Sequence, residues 1–345
     1  MTGTILETDV ALDAIRQYAD AGNPSAYFAF SDGNSYFRLP DGPGVIVYRP
    51  VGRYLVQFGG PFAPFTPAGP DGPRARLLAG FRDLAAGQGR EIVSVQLQGA
   101  DADVYVEQGF TVNQMGASYA VDLETFTLAG TRFMQLRNKI SRALRSGLEI
   151  KEVAYEDHAA QIEELDAAWL STKGEGVKPL EFLVGQTGGR YQHLRRLFAA
   201  VRDGELIGYV SYAPVYGPQP GWMHDLSRRR PDSPPGVMEA LNKAAIDVFT
   251  AEGTRWLHFG FTPFTSLTAP RFPGHSLGFH WFMEHLWEHG AHIYPARTQL
   301  EYKQKWAPSA VLPEIGPHVV VVARGRVDVD HLAPGLRGHE LQAAE

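Results

Sequence analysis

A carboxylate and a guanidinium group lie three residues apart near the middle of the second half of the chain, at Asp225 and Arg228. Hydrophobic patterning predicts a strand over Gly221 to His224 and a helix over Gly236 to Ala251, so both side chains would lie between a strand end and a helix start. Such a pair can orient the ammonium or carboxylate of a small substrate and stabilise negative charge that develops on a carbonyl oxygen. A surface salt bridge is the alternative, and the spacing by itself does not separate the two.

The turn before this predicted helix contains Pro234 and Pro235. In coenzyme A-dependent acetyltransferases of the GNAT type, backbone N–H groups of a glycine-containing turn at a helix N-terminus bind the pyrophosphate. Proline has no N–H group to donate, so this turn is poorly suited to that ligand. The pattern favours acyl transfer from a donor other than coenzyme A. A degenerate acetyltransferase that still binds coenzyme A is the alternative.

Two further cations, Lys303 and Lys305, lie in the segment from Tyr294 to Pro308. In a strand, their ammonium groups would share one face and, with Trp306 beside them, could contact a phosphate or a stacked base. Two solvated lysines are the alternative.

The region before this segment also contains His280, His285, His289 and His292. Their spacing permits a metal site but fixes no acidic third ligand, so we expect no metal.

The segment from Thr131 to Arg145 is predicted to be helical and basic. Its cations are Arg132, Arg137, Lys139, Arg142 and Arg145. Such a helix face can bind RNA phosphates, and an interdomain helix with merely solvated basic residues is the alternative. The whole chain has a net charge of −6, which argues against non-specific coating of nucleic acid. Any contact with RNA must therefore be local.

The composition is that of a folded soluble protein. The length of 345 residues suits two domains, with 44% apolar and 20% charged residues. The absence of cysteine excludes disulfides and thiolate metal sites. Residues 1–9 lack a signal-peptide core, and the longest aliphatic run, Val319 to Val322, is far shorter than a membrane span. We expect a cytoplasmic protein without stable membrane insertion.

Periodicity and turn signals predict two similar α/β units in tandem. In the first unit, strands that include Tyr27 to Phe30 precede a helix over Ala75 to Ala86 and a strand over Glu91 to Gln96. In the second, a hairpin around Asp203 and Gly204 precedes a similar order of strand, helix and strand. The predicted limits are 1–130 for the N-terminal domain, 131–148 for a basic linker helix, 149–325 for the C-terminal catalytic domain and 326–345 for a flexible tail.

Short motifs, spread over most of residues 26–310, match a known family in their order and spacing. In the first half they are Phe58-Gly59-Gly60-Pro61, Met115 to Leu123, Leu136-Arg137-Asn138-Lys139 and Gly147-Leu148. In the second half they are Trp169-Leu170, Glu181-Phe182, Asp225-Leu226-Ser227-Arg228, Gly236-Val237-Met238-Glu239 and Tyr294 to Pro308. With these motifs the chain resembles the soluble catalytic part of phosphatidylglycerol lysyltransferases, also called multiple peptide resistance factors, and their stand-alone relatives.

The resemblance implies an α/β (α+β) fold of two tandem GNAT-like acyltransferase domains joined by a basic helix, with an aminoacyl-tRNA as co-substrate and no cofactor. By similarity, Asp225 and Arg228 would hold the aminoacyl group or the reacting centre, and Lys303 would lie nearest the acceptor or the terminal ribose. The implied substrate-binding residues are Glu181, Tyr191, Tyr294 and Lys305, with Glu181 on the ammonium. The implied tRNA-binding residues are the five cations of residues 132–145 together with Arg229 and Arg230.

Two departures bear on the acceptor. Membrane-anchored members carry a long hydrophobic region before the catalytic part, which this sequence does not show, and Gly59-Gly60-Pro61 replaces the family's acidic Gly-Asp-Pro turn. Soluble relatives occur in natural-product pathways, including antibiotic biosynthesis, and act on small amines. We therefore expect an amide formed on a soluble small-molecule amine. Aminoacylation of phosphatidylglycerol is the alternative, acyl-coenzyme A-dependent N-acyl transfer is a further one, and a binding module without turnover is a different class.

Overall fold

The computed structural model describes residues 8–19, 23–171, 185–268, 275–292 and 294–318. The helices are α1 (Thr8–Tyr18), α2 (Pro73–Gly87), α3 (Ala102–Glu107), α4 (Met134–Leu144), α5 (Tyr155–Ser171), α6 (Val237–Ala251), α7 (Leu277–His289) and α8 (Ala296–Gln304). The strands are β1 (Ser35–Phe37), β2 (Val45–Val51), β3 (Tyr54–Phe62), β4 (Glu91–Val95), β5 (Thr111–Asp122), β6 (Glu149–Val153), β7 (Arg196–Arg202), β8 (Glu205–Val215), β9 (Gly221–Arg229), β10 (Trp256–Pro263) and β11 (Ala310–His318). Short 3₁₀ helices span Pro24–Phe30, Gly99–Asp101, Thr131–Phe133, Gln192–Leu194 and Gly290–His292.

The described strands form one sheet in the order β1-β2-β3-β4-β11-β5-β10-β9-β8-β7-β6. The pairs β3 with β4 and β9 with β10 are parallel, and the other neighbours are antiparallel. Parallel neighbours need a crossover connection, which α2 supplies in the first half and α6 in the second. The same strand, helix and strand unit therefore occurs twice. The predicted α/β class with two tandem GNAT-like units joined by a basic helix is confirmed.

Helix α6 shows why these units pack as they do. Its apolar residues recur every three or four positions and so form one face that is buried on the sheet: Val237, Leu241, Ala245 and Phe249. The basic helix α4 joins the same core through Leu136, Ile140 and Ala143. Its polar residues are left on the outside. Helices α6 and α4 thus pack on the same hydrophobic core, which fixes the basic helix beside the helix that follows β9.

A single sheet contains strands from both predicted domains. Strand β11, from the predicted C-terminal domain, lies between β4 and β5 of the predicted N-terminal domain, and β5 pairs with β10. The limits 1–130, 131–148 and 149–325 stay a prediction, and the predicted tail lies outside the described residues. Among the helices that the structure describes, none combines the length and the apolar character needed to cross a bilayer.

Two segments differ from the predicted strands. Tyr27 to Phe30 belong to the 3₁₀ helix that begins at Pro24, whose residues are all buried. A strand with one solvated face would bury alternate residues, whereas this aromatic run is covered on every side, and the side chain of Asn34 donates to two of its carbonyls. The segment with Lys303 forms helix α8, because most of its residues, such as Arg297, Leu300 and Glu301, are good helix formers.

Candidate active site

Asp225 is the extra residue of a β-bulge in β9. The register of β9 against β8 pairs Leu226 with Ser211 and His224 with Tyr212, so no residue of β8 lies opposite Asp225. A bulge interrupts the alternation of side chains and changes the direction in which the extra residue points. The sequence predicted that the strand ends at His224, before Asp225. In the structure β9 remains paired with β8 up to Arg229, so Asp225 and its neighbours lie inside the strand.

Asp225 forms a buried ion pair with Arg195. The Arg195 Nε donates to Asp225 Oδ2 at 3.2 Å, and the two side chains are 1% and 0% exposed, respectively. The guanidinium of Arg195 also lies over the ring of Tyr27, 4.7 Å from the ring centroid. Two atoms of the pair, Asp225 Oδ1 and Arg195 Nη2, have no hydrogen-bond partner among the described residues. Leaving buried polar atoms without a hydrogen bond is costly, so such atoms are rare in folded proteins. These two atoms are therefore available to form hydrogen bonds with a bound substrate.

The environment of Asp225 also changes its acidity. Burial raises the pKa of the carboxyl to about 6, and the charge of Arg195, followed by that of Arg228, offsets only part of the rise. The carboxyl is therefore mostly ionised at neutral pH but titrates close to it. Gly185 packs against Oδ1, and a methyl group at this position would overlap the carboxylate. Only glycine permits that approach without displacing Asp225.

Arg228 lies on the other side of the bulge from His224 along β9. One of its N–H groups donates to the Ser227 carbonyl at 2.8 Å, and its guanidinium carbon lies 3.7 Å from the centroid of the Trp169 ring in α5. Burial lowers the pKa of Arg228, but a guanidinium remains charged at neutral pH. Stacking fixes the plane of the guanidinium and leaves its edge available to donate to an oxygen. Asp225 and Arg228 form no direct ion pair in the structure, but they lie close enough for their charges to interact.

Strands β9 and β10 pair only over their first three residues and then separate. Beyond that point β10 bulges at Phe259 and Gly260, where Gly260 adopts a φ of 67°. The ammonium of Lys303 lies in the resulting opening, donating to the carbonyls of Gly260 at 2.7 Å and Phe261 at 2.9 Å. The predicted catalytic lysine is therefore a buried cation on α8 that contacts β10 where the two parallel strands diverge.

Lys305 does not share a face with Lys303, because residues two apart on a helix point in nearly opposite directions. Its Nζ donates to Glu239 Oε1 at 3.2 Å, and Lys139 Nζ lies 3.8 Å from the same oxygen. Glu239 is buried in the first turn of α6. Just before this turn, the carbonyl of Lys139 packs so closely on Gly236 that a methyl group there would overlap it. The N-terminus of α6 thus faces helix α4 and a buried carboxylate.

The remaining predicted substrate-binding residues are placed as follows. The Tyr191 hydroxyl donates to Asp9 at 3.1 Å, and its carbonyl accepts from the Tyr27 hydroxyl at 2.5 Å. Tyr191 therefore borders the Tyr27 ring through its backbone. Tyr294 is half-buried against Phe264, with ring centroids 6.5 Å apart. Glu181 lies outside the described residues. The substrate-binding role of all these residues stays a prediction.

The predicted tRNA-binding cations fall into two groups. The exposed ones are Arg132, Lys139, Arg142, Arg145 and Arg229. The other two are half-buried and are held by contacts within the protein. Arg137 donates to the carbonyls of Leu128 and Gly130, whereas Arg230 lies 3.2 Å from Glu164 and 3.0 Å from Glu205. Only the first group has the exposure that a phosphate contact needs.

No role for Arg195, Gly185 or Trp169 follows from the sequence motifs. Arg195 precedes Arg196 at the start of β7, and Arg196 pairs instead with Glu152 and Glu252. Two consecutive arginines at a strand start indicate that one points inward, since side chains alternate along a strand. That signal predicts a buried arginine but not its partner. In the described ranges, no group of three or more His, Asp or Glu side chains could hold a metal ion.

The repeated crossover unit and the diverging parallel strands define a tandem GNAT-like architecture. A family model described as phosphatidylglycerol lysyltransferase, C-terminal, matches residues 14–314, and the chain belongs to that family.

Individual relatives agree with this assignment. The chain is 27% identical over 253 residues to the lysylphosphatidylglycerol biosynthesis bifunctional protein LysX of Rhodococcus opacus, a match covering 72% of this chain and 22% of that protein. It is 25% identical over 268 residues to phosphatidylglycerol lysyltransferase of Bacillus subtilis, covering 73% and 29%, respectively. The chain thus spans less than a third of the length of these two relatives.

A solved structure shows the same fold. The C-terminal domain of a putative lysylphosphatidylglycerol synthetase from Agrobacterium fabrum matches with a TM-score of 0.72 and 20% identity, over 90% of each chain.

Proposed function

We propose that this acyltransferase moves an aminoacyl group from an aminoacyl-tRNA to an acceptor at the site formed by Asp225 and Arg228. The observation that carries the proposal is the buried Asp225 and Arg195 pair, whose anionic Oδ1 has no hydrogen-bond partner among the described residues and interacts with the charge of the stacked Arg228 guanidinium. A structural ion pair of this burial would be expected to use its capacity within the fold. Membership of the phosphatidylglycerol lysyltransferase family supports the same reaction class.

The chemistry of an aminoacyl ester fits these groups. The ester is already activated, so the enzyme has to align its carbonyl with a nucleophile, stabilise the oxyanion and transfer one proton. We assign Asp225 Oδ1 to the ammonium of the aminoacyl group and the Arg228 edge to the carbonyl oxygen, where negative charge develops. The Trp169 ring holds the guanidinium in place beforehand, which is the condition under which such a donor stabilises a transition state most.

The N-terminus of α6 supports a donor other than coenzyme A. Pro234 and Pro235 offer no N–H groups, the Lys139 carbonyl covers Gly236, and the buried Glu239 carboxylate would repel a pyrophosphate. We therefore expect acetyl-coenzyme A at millimolar concentration to leave the melting temperature unchanged. A clear upward shift would favour the acyl-coenzyme A alternative instead.

The acceptor that is best supported is phosphatidylglycerol, the alternative to the soluble amine expected from the sequence. The matching family and both relatives carry lysylphosphatidylglycerol or phosphatidylglycerol in their names, and no specific feature of the described site favours a soluble amine. We propose a hydroxyl of the phosphatidylglycerol head group as the nucleophile, with ester formation as the result. Transfer to a soluble amine is the competing outcome.

The test supplies total tRNA charged with a mixture of labelled amino acids, together with phosphatidylglycerol vesicles or a panel of soluble amines. We expect label to enter the organic phase of a lipid extraction and ribonuclease to abolish the transfer. Label in a soluble amide would overturn the lipid acceptor and keep the donor. Transfer that survives ribonuclease, or no transfer to any acceptor, would overturn the aminoacyl-tRNA donor.

The exposed cations of the basic segment are proposed to contact the tRNA. Replacement of both Arg142 and Arg145 by alanine should raise the Kd for charged tRNA by about tenfold and reduce its salt dependence, because each phosphate contact releases counterions. Lys151→Ala, on the edge strand β6, is the matched control and should leave both quantities unchanged. Equal effects of the two variants would contradict a specific tRNA surface.

A further inference from the structure

His224 lies where β9 and β10 begin to separate, one residue beyond the last residue of β9 that pairs with β10. Its neighbour across the opening is Gly260, which packs near the His224 carbonyl. The imidazole points to the opposite side of β9 from Asp225, since its partner is Asn242 of α6, whereas Asp225 contacts Arg195 and Tyr27 lies beside that arginine. His224 therefore borders the opening from the α6 side.

A hydrogen-bond network fixes which nitrogen of His224 carries the proton. Asn242 Nδ2 faces the Met238 carbonyl at 2.9 Å, and since a carbonyl only accepts, the amide orientation is determined. Asn242 Oδ1 then faces the Tyr212 hydroxyl at 2.8 Å and His224 Nδ1 at 2.9 Å. Because this oxygen only accepts, Nδ1 must donate. The neutral imidazole consequently carries its lone pair on Nε2.

The imidazole is held neutral by its surroundings. Burial lowers the pKa of His224 to about 4, the hydrogen bond with Asn242 offsets part of this, and the nearby Lys303 ammonium lowers it further. Burial also keeps Tyr212 and Tyr302 protonated, because it raises the pKa of both hydroxyls. The Nε2 atom has no hydrogen-bond partner among the described residues, and His224 is partly exposed. A lone pair fixed in direction can accept a hydrogen bond from a substrate hydroxyl, which is the geometry that general-base catalysis requires.

We propose that His224 Nε2 is the proton carrier of the acyl transfer, an inference that rests on the proposed function. As the acceptor hydroxyl oxygen bonds to the ester carbonyl carbon, Nε2 takes the hydroxyl proton. The bond between that carbon and the terminal ribose oxygen then breaks, and the ribose oxygen takes the proton back from Nε2. The imidazole returns to its starting tautomer. Asp225 and Arg228 hold the aminoacyl group from the other side of β9, with the ester carbonyl placed in the opening between β9 and β10 that His224 borders.

The decisive variant is His224→Asn, whose amide can still donate to Asn242 but offers no basic nitrogen. We expect kcat with charged tRNA to fall about 10²-fold or more, with KM for both substrates within threefold and little change in melting temperature. The matched control is His258→Asn. His258 is fully buried and also has a pKa lowered to about 4, but its Nε2 lies 3.1 Å from the Gln219 carbonyl in the paired part of the sheet. The control should keep kcat within threefold.

Two further measurements separate chemistry from folding. Free imidazole should restore activity to His224→Ala in proportion to its concentration, whereas the non-basic pyrazole should not. In the wild-type protein, carbethoxylation of His224 by diethyl pyrocarbonate, followed by mass spectrometry, should parallel the loss of activity, and hydroxylamine should reverse both. A His224→Asn enzyme that retains more than a third of wild-type kcat, or a fully modified His224 in an active enzyme, would overturn the role of His224. Wild-type protein inactive with charged tRNA would instead overturn the proposed function.

Discussion

Within the described residues, each half of the molecule contains a buried ion pair between an aspartate and an arginine beside a glycine. The two pairs differ in how many of their polar atoms have hydrogen-bond partners. In the first half, Arg74 donates to Asp101 at 2.6 Å, and these side chains are 6% and 3% exposed, respectively. The second oxygen of Asp101 accepts from the Gln98 N–H, and Arg74 also donates to the Ala63 carbonyl. In the second half, the Arg195 and Asp225 pair is buried at least as deeply, but one atom of each partner has no hydrogen-bond partner within the described part of the chain.

This difference separates a structural ion pair from a candidate catalytic one. Once charges are buried, their stability depends on hydrogen bonds to every remaining oxygen and N–H group. The Asp101 pair meets that condition and ties α2 to the segment before α3. The Asp225 pair does not meet it, and its carboxyl has a pKa raised to about 6 by burial. Buried polar atoms without hydrogen-bond partners can instead bind a polar group of a substrate.

The largest expected effect is on activity. Asp225→Asn should lower kcat/KM by about 10²-fold or more, because the amide cannot neutralise an ammonium. Asp101→Asn should leave kcat/KM per folded molecule within threefold. Steady-state transfer from charged tRNA, normalised to the folded fraction by circular dichroism, measures both. Equal losses in the two variants would remove the functional distinction between the pairs.

The effects on stability should be reversed. Asp101→Asn leaves Arg74 as a poorly compensated buried cation and should cost about 3–5 kcal/mol of the free energy of unfolding. Asp225→Asn also leaves a buried arginine, Arg195, without its carboxylate, but it removes a carboxylate whose burial is itself unfavourable, so it should cost less stability at pH 7 than Asp101→Asn. Urea unfolding of the three proteins gives the comparison. A strongly destabilised Asp225→Asn would indicate a structural role for that pair too.

The pH dependence should sharpen the comparison further. Activity needs ionised Asp225, so kcat/KM should fall as the pH is lowered through about 6. Stability has the opposite dependence: the folded carboxyl has a higher pKa than the unfolded one and binds more protons between about pH 4 and pH 6. The stabilisation that protonated Asp225 contributes is complete below about pH 4 and is lost as the pH rises through 6. The difference in the free energy of unfolding between wild type and Asp225→Asn should therefore change by on the order of 3 kcal/mol over this pH range. A pH-independent difference would contradict the raised pKa.

The smallest effect should come from the two glycines. A methyl group at Gly185 would overlap the Asp225 carboxylate, and one at Gly60 would overlap that of Asp101. Gly185→Ala should therefore lower kcat/KM by about tenfold with a modest change in stability, whereas Gly60→Ala should lower the unfolding midpoint and spare activity. Parallel activity and thermal melts distinguish these outcomes. Matching losses of stability alone would mean that the position of Asp225 is not critical.

Part of the site could be predicted from the sequence. Asp225 and Arg228 were singled out by residue type and spacing, and they do lie together in the fold. Their helix partner α6 was also predicted, because its apolar period is local information. Lys303 was predicted as a site residue but on a strand, since a short segment with mixed polarity does not show a clear period. Tyr27 was predicted in a strand because aromatic residues favour strands, whereas burial on all sides decided its 3₁₀ conformation.

The sequence by itself determined the repeated order of elements, the basic segment, the turn that lacks N–H groups and the candidate site residues Asp225 and Arg228. These follow from composition and from spacings of a few residues. Only the tertiary structure decided that Arg195 rather than Arg196 meets Asp225, that the bulge in β9 redirects that carboxylate, and that Asn242 fixes the tautomer of His224. Desolvation and hydrogen bonding act through neighbours that are close in space but 18 to 30 positions apart along the chain.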